Sequence, residues 1–261
     1  MTLFHDALAV GSGSLVGFTL GLVGGGGSIL AVPLLVYVVG IASPHLAIGT
    51  SAIAVAASAA ANLIGHARAG TVKWSCALVF ALAGIAGAAG GAELGKMVDG
   101  GKLLTLFGAL MVVVGLMMLR PRKSGGNPDV KLTRESLPHL LPRLLAIGFG
   151  VGTLSGFFGI GGGFLIVPGL IAATGMPLIN AIGSSLFAVT AFGLTTATSY
   201  AISGLVDWPL ATLFIAGGAL GGVVGISLAH RLASRKHALT LTFSGIIIVV
   251  GIYVFLRGMA G

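Results

Sequence analysis

Many apolar runs of about 20 residues mark the chain, long enough as helices to cross the roughly 30 Å hydrocarbon core of a bilayer. Charge is scarce to match: 8% of the 261 residues are Asp, Glu, Lys or Arg, 56% are hydrophobic, and the mean hydropathy is +1.09. A soluble domain carries about 25% charged residues, so this chain lacks the means to make a water-facing skin. No water reaches the hydrocarbon core, so a spanning segment satisfies its backbone groups internally. Long continuous apolar runs do this as helices, and the sequence predicts an all-α integral membrane protein. The N-terminal "MTLFHDALAVGSG" lacks the basic flank of a signal peptide and is expected to stay part of the fold.

Several function classes fall away early. A single cysteine, Cys76, rules out an internal disulfide and a Cys-rich metal site. The net charge of +8 does not point to nucleic acid, because of where it sits. Arg120, Arg122, Lys123, Lys131, Arg134 and Arg143 crowd into "RPRKSGGNPDVKLTRESLPHLLPR" beside Pro121, Pro128, Pro138 and Pro142. That stretch reads as a solvated linker over 120–143, cytoplasmic by its basic charge.

The chain also repeats itself. "AIGTSAIAV" (Ala47 to Val55) matches "AIGSSLFAV" (Ala181 to Val189), and the same offset pairs "GTVKW" (Gly70 to Trp74) with "GLVDW" (Gly204 to Trp208). With a one-residue gap, Gly24–Pro33 pairs with Gly159–Pro168. The repeat unit spans 7–119 and returns as 144–257, so the chain divides into repeats 1–119 and 144–261 around the linker. Apolar segments are predicted at 7–23, 28–40, 46–67, 74–98 and 103–119, then at 144–158, 163–174, 178–201, 209–231 and 238–256. The segments after the glycines are short. At 1.5 Å per residue, about 13 residues span only some 20 Å, so each glycine cluster joins shortened helices as a broken span or a re-entrant hairpin.

Charge suggests how the halves relate. "HARAGTVKW" carries Arg68 and Lys73, whereas its counterpart "YAISGLVDW" carries only Asp207. In the next loop the bias reverses: "RLASRKH" is basic, while Glu93 and Asp99 offset Lys96 and Lys102. Positive charge marks the cytoplasmic side, so its exchange between copies predicts inverted repeats with an odd number of crossings each. A parallel arrangement with four crossings per half is the alternative. Inverted repeats with interrupted helices mark secondary transporters, with a site near the midplane.

The candidate site follows from that geometry. Gly25, Gly26, Gly27 and Ser28 in one copy, and Gly161, Gly162 and Gly163 in the other, leave bare N–H groups and a positive helix end for an anion. Thr50, Ser51, Ser184 and Ser185 set hydroxyls near the start of a long helix in each copy, either facing a ligand or bonding the preceding turn. Asn62 aligns with Thr196 deeper in the same helices, and His45 and Asn180 stand just before them. His66, Arg68 and Tyr200 fit a gate, a proton relay or an interfacial anchor, and His45 joins them as a gating candidate. The runs "AGIAGAAGGAELG" and "AGGALGGVVG" fit close helix packing instead. No Asp or Glu falls in the middle of an apolar segment, which argues against carboxylate-based cation binding. No metal cluster, dinucleotide fingerprint or other cofactor motif occurs, and Ser51, Ser185 and His45 form no nucleophile-plus-base motif.

Taken together, "GGGGSILAVP", "GIGGGFLIVP", "AIGTS", "AIGSS" and the paired G-x-V-x-W loops resemble the TauE/SafE sulfite exporter family, over nearly the whole chain except the linker. The resemblance implies a multi-pass protein of the bacterial cytoplasmic membrane that moves small sulfur-containing anions. These are sulfite, thiosulfate, sulfoacetate and related organosulfonates, with export as the default direction and a coupling proton or ion open. Ser28 stands where the second copy has Gly163, so the two clusters need not contact a ligand equally. An anion channel and an intramembrane enzyme are the competing readings, and a homodimer is compatible with all three.

Overall fold

A computed structural model describes residues 3–119, 130, 132–159, 163–231 and 236–260. The described residues are helical apart from short connections. The first half comprises α1 (Leu3–Val23), a 3-10 segment (Gly24–Leu30), a single turn α2 (Ala31–Pro33), a π-helical turn (Leu34–Val38), α3 (Pro44–Arg68), α4 (Trp74–Met97) and α5 (Gly100–Leu119). The second comprises α6 (Leu137–Phe158), α7 (Gly163–Thr174), α8 (Leu178–Ile202), α9 (Trp208–Arg231) and α10 (Lys236–Ala260). All ten predicted segments are present, and among the described residues six helices are long and apolar enough to cross a membrane. Leu78, Leu82, Val113, Leu116, Val223 and Val249 are among the large apolar side chains left exposed, a surface that suits lipid.

One boundary moves. The linker was expected to run to residue 143, yet α6 begins at Leu137. Pro138 lies in its first turn, where the missing N–H has no helical partner to lose. Residues 120–129 and 131, the rest of the basic linker apart from 130 and 132–136, lie outside the described residues.

The chain turns back on itself at Gly24–Leu30 and again between α6 and α7. In the first half the chain doubles back along α1: Leu34 and Val38 line a groove with Leu8, Ser12 and Leu15, and Gly40 lies beside His5. The return is longer than the expected 28–40 because it starts at Gly24 and rises about 2.0 Å per residue through the 3-10 stretch. In the second half Gly159 closes α6 at φ +66°, a left-handed conformation that glycine adopts without the Cβ penalty. Beyond it α7 folds back, with Gly169 against Ile147 and Val151. The two returns touch, since the 3-10 segment packs on both α7 and α8.

Packing between the halves is reciprocal. In one bundle α1 runs alongside α9, with Gly13 against Phe214, Gly17 against Gly218, and Gly225 against Phe18. Its counterpart sets α6 against α4, with Gly148 against Phe80, Gly152 against Gly84, and Gly156 against Ala88. A Cβ on Gly13, Gly17, Gly148, Gly152, Gly156 or Gly225 would strike backbone of the facing helix, so the small-residue runs of α4 and α9 serve contact, as their composition suggested. Equivalent helices that meet each other run in opposite directions. Gly49 of α3 meets Leu205 just beyond α8, and Gly193 of α8 meets Ala52 and Ala56. Likewise Gly108 of α5 meets Gly251 and Phe255 of α10, while Gly258 meets Thr105.

Candidate functional site

The predicted hydroxyls sort into two jobs. Thr50 Oγ1 accepts a hydrogen bond from the Asp207 backbone N–H at 3.0 Å, and Ser184 Oγ accepts one from the Lys73 N–H at 2.8 Å. These are the same contact made twice, each half's helix holding the other half's G-x-V-x-W loop. Gly49 and Gly183, one residue earlier, let those loops approach: a Cβ at either would meet Leu205 or Thr71. Thr50 and Ser184 are fully buried, so removing either oxygen would leave a loop N–H unpaired, at a cost of about 1–3 kcal/mol. Ser51 and Ser185, the next residues, donate to the carbonyls of Ile48 and Ile182 at 3.0 and 2.8 Å. Ser51 and Ser185 back-bond to their own helices, as the sequence left open, whereas Thr50 and Ser184 anchor the opposite half's loop, a role the sequence did not suggest.

The glycine segment shows a comparable division. Gly25 lies in the 3-10 stretch, and Gly26, Gly27 and Ser28 are buried within it. At Gly27 close approach alone explains the residue, since a Cβ there would meet the backbone of Thr19 and Leu20 and stand 2.6 Å from Thr19 Oγ1. Gly163 is buried at the start of α7, whereas Gly161 and Gly162 lie outside the described residues.

The deeper polar pairs behave unequally. Asn62 donates from Nδ2 to the Ser58 carbonyl at 3.0 Å, and Asn180 donates to the Thr71 carbonyl at 2.9 Å, adding a third tie across the halves. His66 Nδ1 lies 2.9 Å from Thr71 Oγ1, and Arg68 is exposed at the end of α3. His45 places Nε2 at 3.3 Å from the Gly95 carbonyl and stacks on Tyr200, with centroids 6.5 Å apart. Trp74 and Trp208 are half-exposed at the starts of α4 and α9, where interfacial tryptophans anchor.

Sequence reasoning missed a polar knot where the C-terminal ends of α4 and α8 meet. Lys96 Nζ donates to Glu93 Oε1 at 2.8 Å and to Ser203 Oγ at 2.9 Å, while Ser199 Oγ donates to the same Glu93 oxygen at 2.8 Å. The ammonium also sits 5.9 Å from the centre of the Tyr200 ring. The i,i+3 spacing of Glu93 and Lys96 was a visible signal, but nothing local named their partners on α8. Among the described residues no group of three or more His, Cys, Asp or Glu side chains gathers to hold a metal.

Residues 9–254 match the model of the family described as Sulfite exporter TauE/SafE. The chain belongs to the TauE/SafE sulfite exporter family. A "Probable membrane transporter protein" of Xylella fastidiosa strain 9a5c is 53% identical over all of this chain and 98% of its own length. YunE of Bacillus subtilis, a probable membrane transporter protein, is 25% identical over 95% of this chain and 96% of its own. A third, MJ0441 of Methanocaldococcus jannaschii, carries the same description and is 26% identical over 93% and 94%. No solved structure matches the chain. As a TauE/SafE protein it is a multi-pass membrane transporter and not an enzyme. Its Ser51 and Ser185 hydroxyls serve their own helices and its His45 faces a carbonyl and a tyrosine ring.

Proposed function

We propose that this transporter carries small sulfur-containing anions, such as sulfite, thiosulfate, sulfoacetate or another organosulfonate, out of the bacterial cytoplasm by alternating access at the interface of its halves. One observation carries the choice of an anion. The buried polar side chains of the described core are neutral: Ser12, Thr19, Ser28, Thr50, Ser51, Asn62, Ser155, Thr174, Asn180, Ser184, Ser185, Thr196 and Ser244, together with the hydroxyl of Tyr200. Neutral O–H and N–H donors suit an oxyanion, whereas a cation path would call for buried carboxylates. Gly25, Gly26 and Ser28, with Gly161, Gly162 and Gly163, form the anion cradle in this reading, where bare N–H groups of two chain reversals approach the ligand. His45, His66, Arg68 and Tyr200 stand at the ends of α3 and α8, where a gate or coupling-proton relay would act. Purified protein should bind at least one of sulfite, thiosulfate, sulfate and sulfoacetate saturably by isothermal titration. Binding of none of them would sink this reading.

The halves are proposed to lie inverted in the cytoplasmic membrane, with the linker and the 68–73 loop inside and the 202–207 loop outside. Antiparallel contact between equivalent helices and the exchange of basic charge both support it. A membrane-impermeant maleimide tests the arrangement in intact cells, using single cysteines introduced in a Cys76→Ala background. Ile202→Cys should label and Ala69→Cys should not; labelling of both from the same side would favour parallel repeats.

A further inference from the structure

Ser155, Thr196 and Tyr200 carry the buried side-chain hydroxyls that have no hydrogen-bond partner among the described residues. Thr196 and Tyr200 stand one turn apart on α8, and neither has any exposed surface. Their surroundings are built from both halves. The Tyr200 Cβ packs against Gly49 of α3, its ring stacks on His45, and the Lys96 ammonium of α4 lies over it. One turn before Thr196, Phe192 packs on Phe80 and Gly84 of α4, and one turn beyond, Ser199 bonds Glu93. Ser155 lies on α6 next to Gly156, which packs against Ala88 of α4.

An unpartnered threonine on α8 is not forced by the helix. Thr190, Thr195 and Thr198 each return their proton to the carbonyl four residues back, at 2.8 Å. Thr196, deeper than any of them, does not. Nor does the repeat demand it. Asn62 and His66 occupy the equivalent positions on α3, and both have partners, the Ser58 carbonyl and Thr71 Oγ1. The two unpaired donors therefore belong to one half only, below an ammonium whose charge Glu93 already offsets.

We propose that the Thr196 and Tyr200 hydroxyls donate hydrogen bonds to the transported sulfur oxyanion where α3, α4 and α8 meet beneath Lys96, a donor site that the first half does not duplicate. This rests on the anion-transport reading. An oxyanion presents several acceptor oxygens and can engage two donors one turn apart on a single helix face. Leaving both donors unpaired destabilises the empty state, so the ligand gains where the resting protein loses.

Wild type, Tyr200→Phe, Thr196→Val and the control Thr195→Val are purified in detergent. Each is titrated with sodium sulfite, thiosulfate and sulfate, and melted without anion. Tyr200→Phe and Thr196→Val should each raise the Kd of whichever anion the wild type binds by about tenfold or more, as loss of a hydrogen bond to a charged group does. Their melting temperatures without anion should equal or exceed wild type, because each deletes a buried hydroxyl with no partner. Thr195→Val, which loses only a back-bond to its own helix, should leave Kd unchanged. Unchanged affinity in both test variants, with wild type binding, overturns the donor site and leaves the transport reading standing. A wild type that binds none of the three anions overturns both.

Discussion

Gly152→Leu should abolish the folded, monodisperse protein, while Gly150→Leu two residues away should leave it intact. The first glycine sits at the crossing of α6 and α4, where a built Cβ stands 2.7 Å from the Gly84 carbonyl carbon and closer still to its oxygen. No rotamer relieves that contact, because the obstructing atoms are backbone of the facing helix. Overpacking a core costs about 1–3 kcal/mol when side chains can yield, and here the helices themselves would have to part. The loss is therefore expected to exceed about 3 kcal/mol, read as a collapsed melting transition or aggregation on size exclusion in detergent. Gly150 points outward, is exposed, and has nothing within 4 Å of a built Cβ. Gly17→Leu in the equivalent α1–α9 contact should fail as Gly152→Leu does, since its Cβ would meet Gly218 backbone. A Gly152→Leu protein melting within a few degrees of wild type would remove the argument that glycine contacts lock the two halves together.

Gly26→Leu should cost transport. Gly26 is buried in the 3-10 bend that packs on α7 and α8, between halves rather than along a helix–helix seam. In the proposed cradle, a Leu side chain there would keep an anion away from the bare backbone N–H groups. Affinity for the transported anion is expected to fall at least about 100-fold, equivalent to about 2.7 kcal/mol. Gly27→Ala is expected to act differently, lowering the melting temperature because its Cβ meets Thr19 and Leu20. Wild-type affinity in a folded Gly26→Leu protein would take the cradle away from this bend.

Much of this was legible before the fold was known, and the reasons are local. Apolar runs set the ten segments, and the glycine-rich runs of α4 and α9 announced packing because no polar residue or proline accompanied them. Boundaries slipped where geometry departed from the α-helix. The first return is longer than its apolar run because the 3-10 bend stretches it, and α6 starts early because Pro138 is harmless in a first turn. The site was legible as positions but not as roles. Thr50 and Ser184 stood out as repeated hydroxyls, yet their partners are backbone N–H groups of the opposite half, which no local pattern specifies. Thr196 and Asn62 align in sequence, and only packing reveals that one is satisfied and the other is not.

The most direct test of the account is counterflow in proteoliposomes holding the purified chain alone. Vesicles loaded with unlabelled sulfite or thiosulfate and diluted into the radiolabelled anion should show transient, saturable accumulation. Unlabelled sulfonate outside should compete, and Gly26→Leu should abolish the signal. Accumulation of none of these anions, or a current that never saturates, would contradict an alternating-access transporter of sulfur anions.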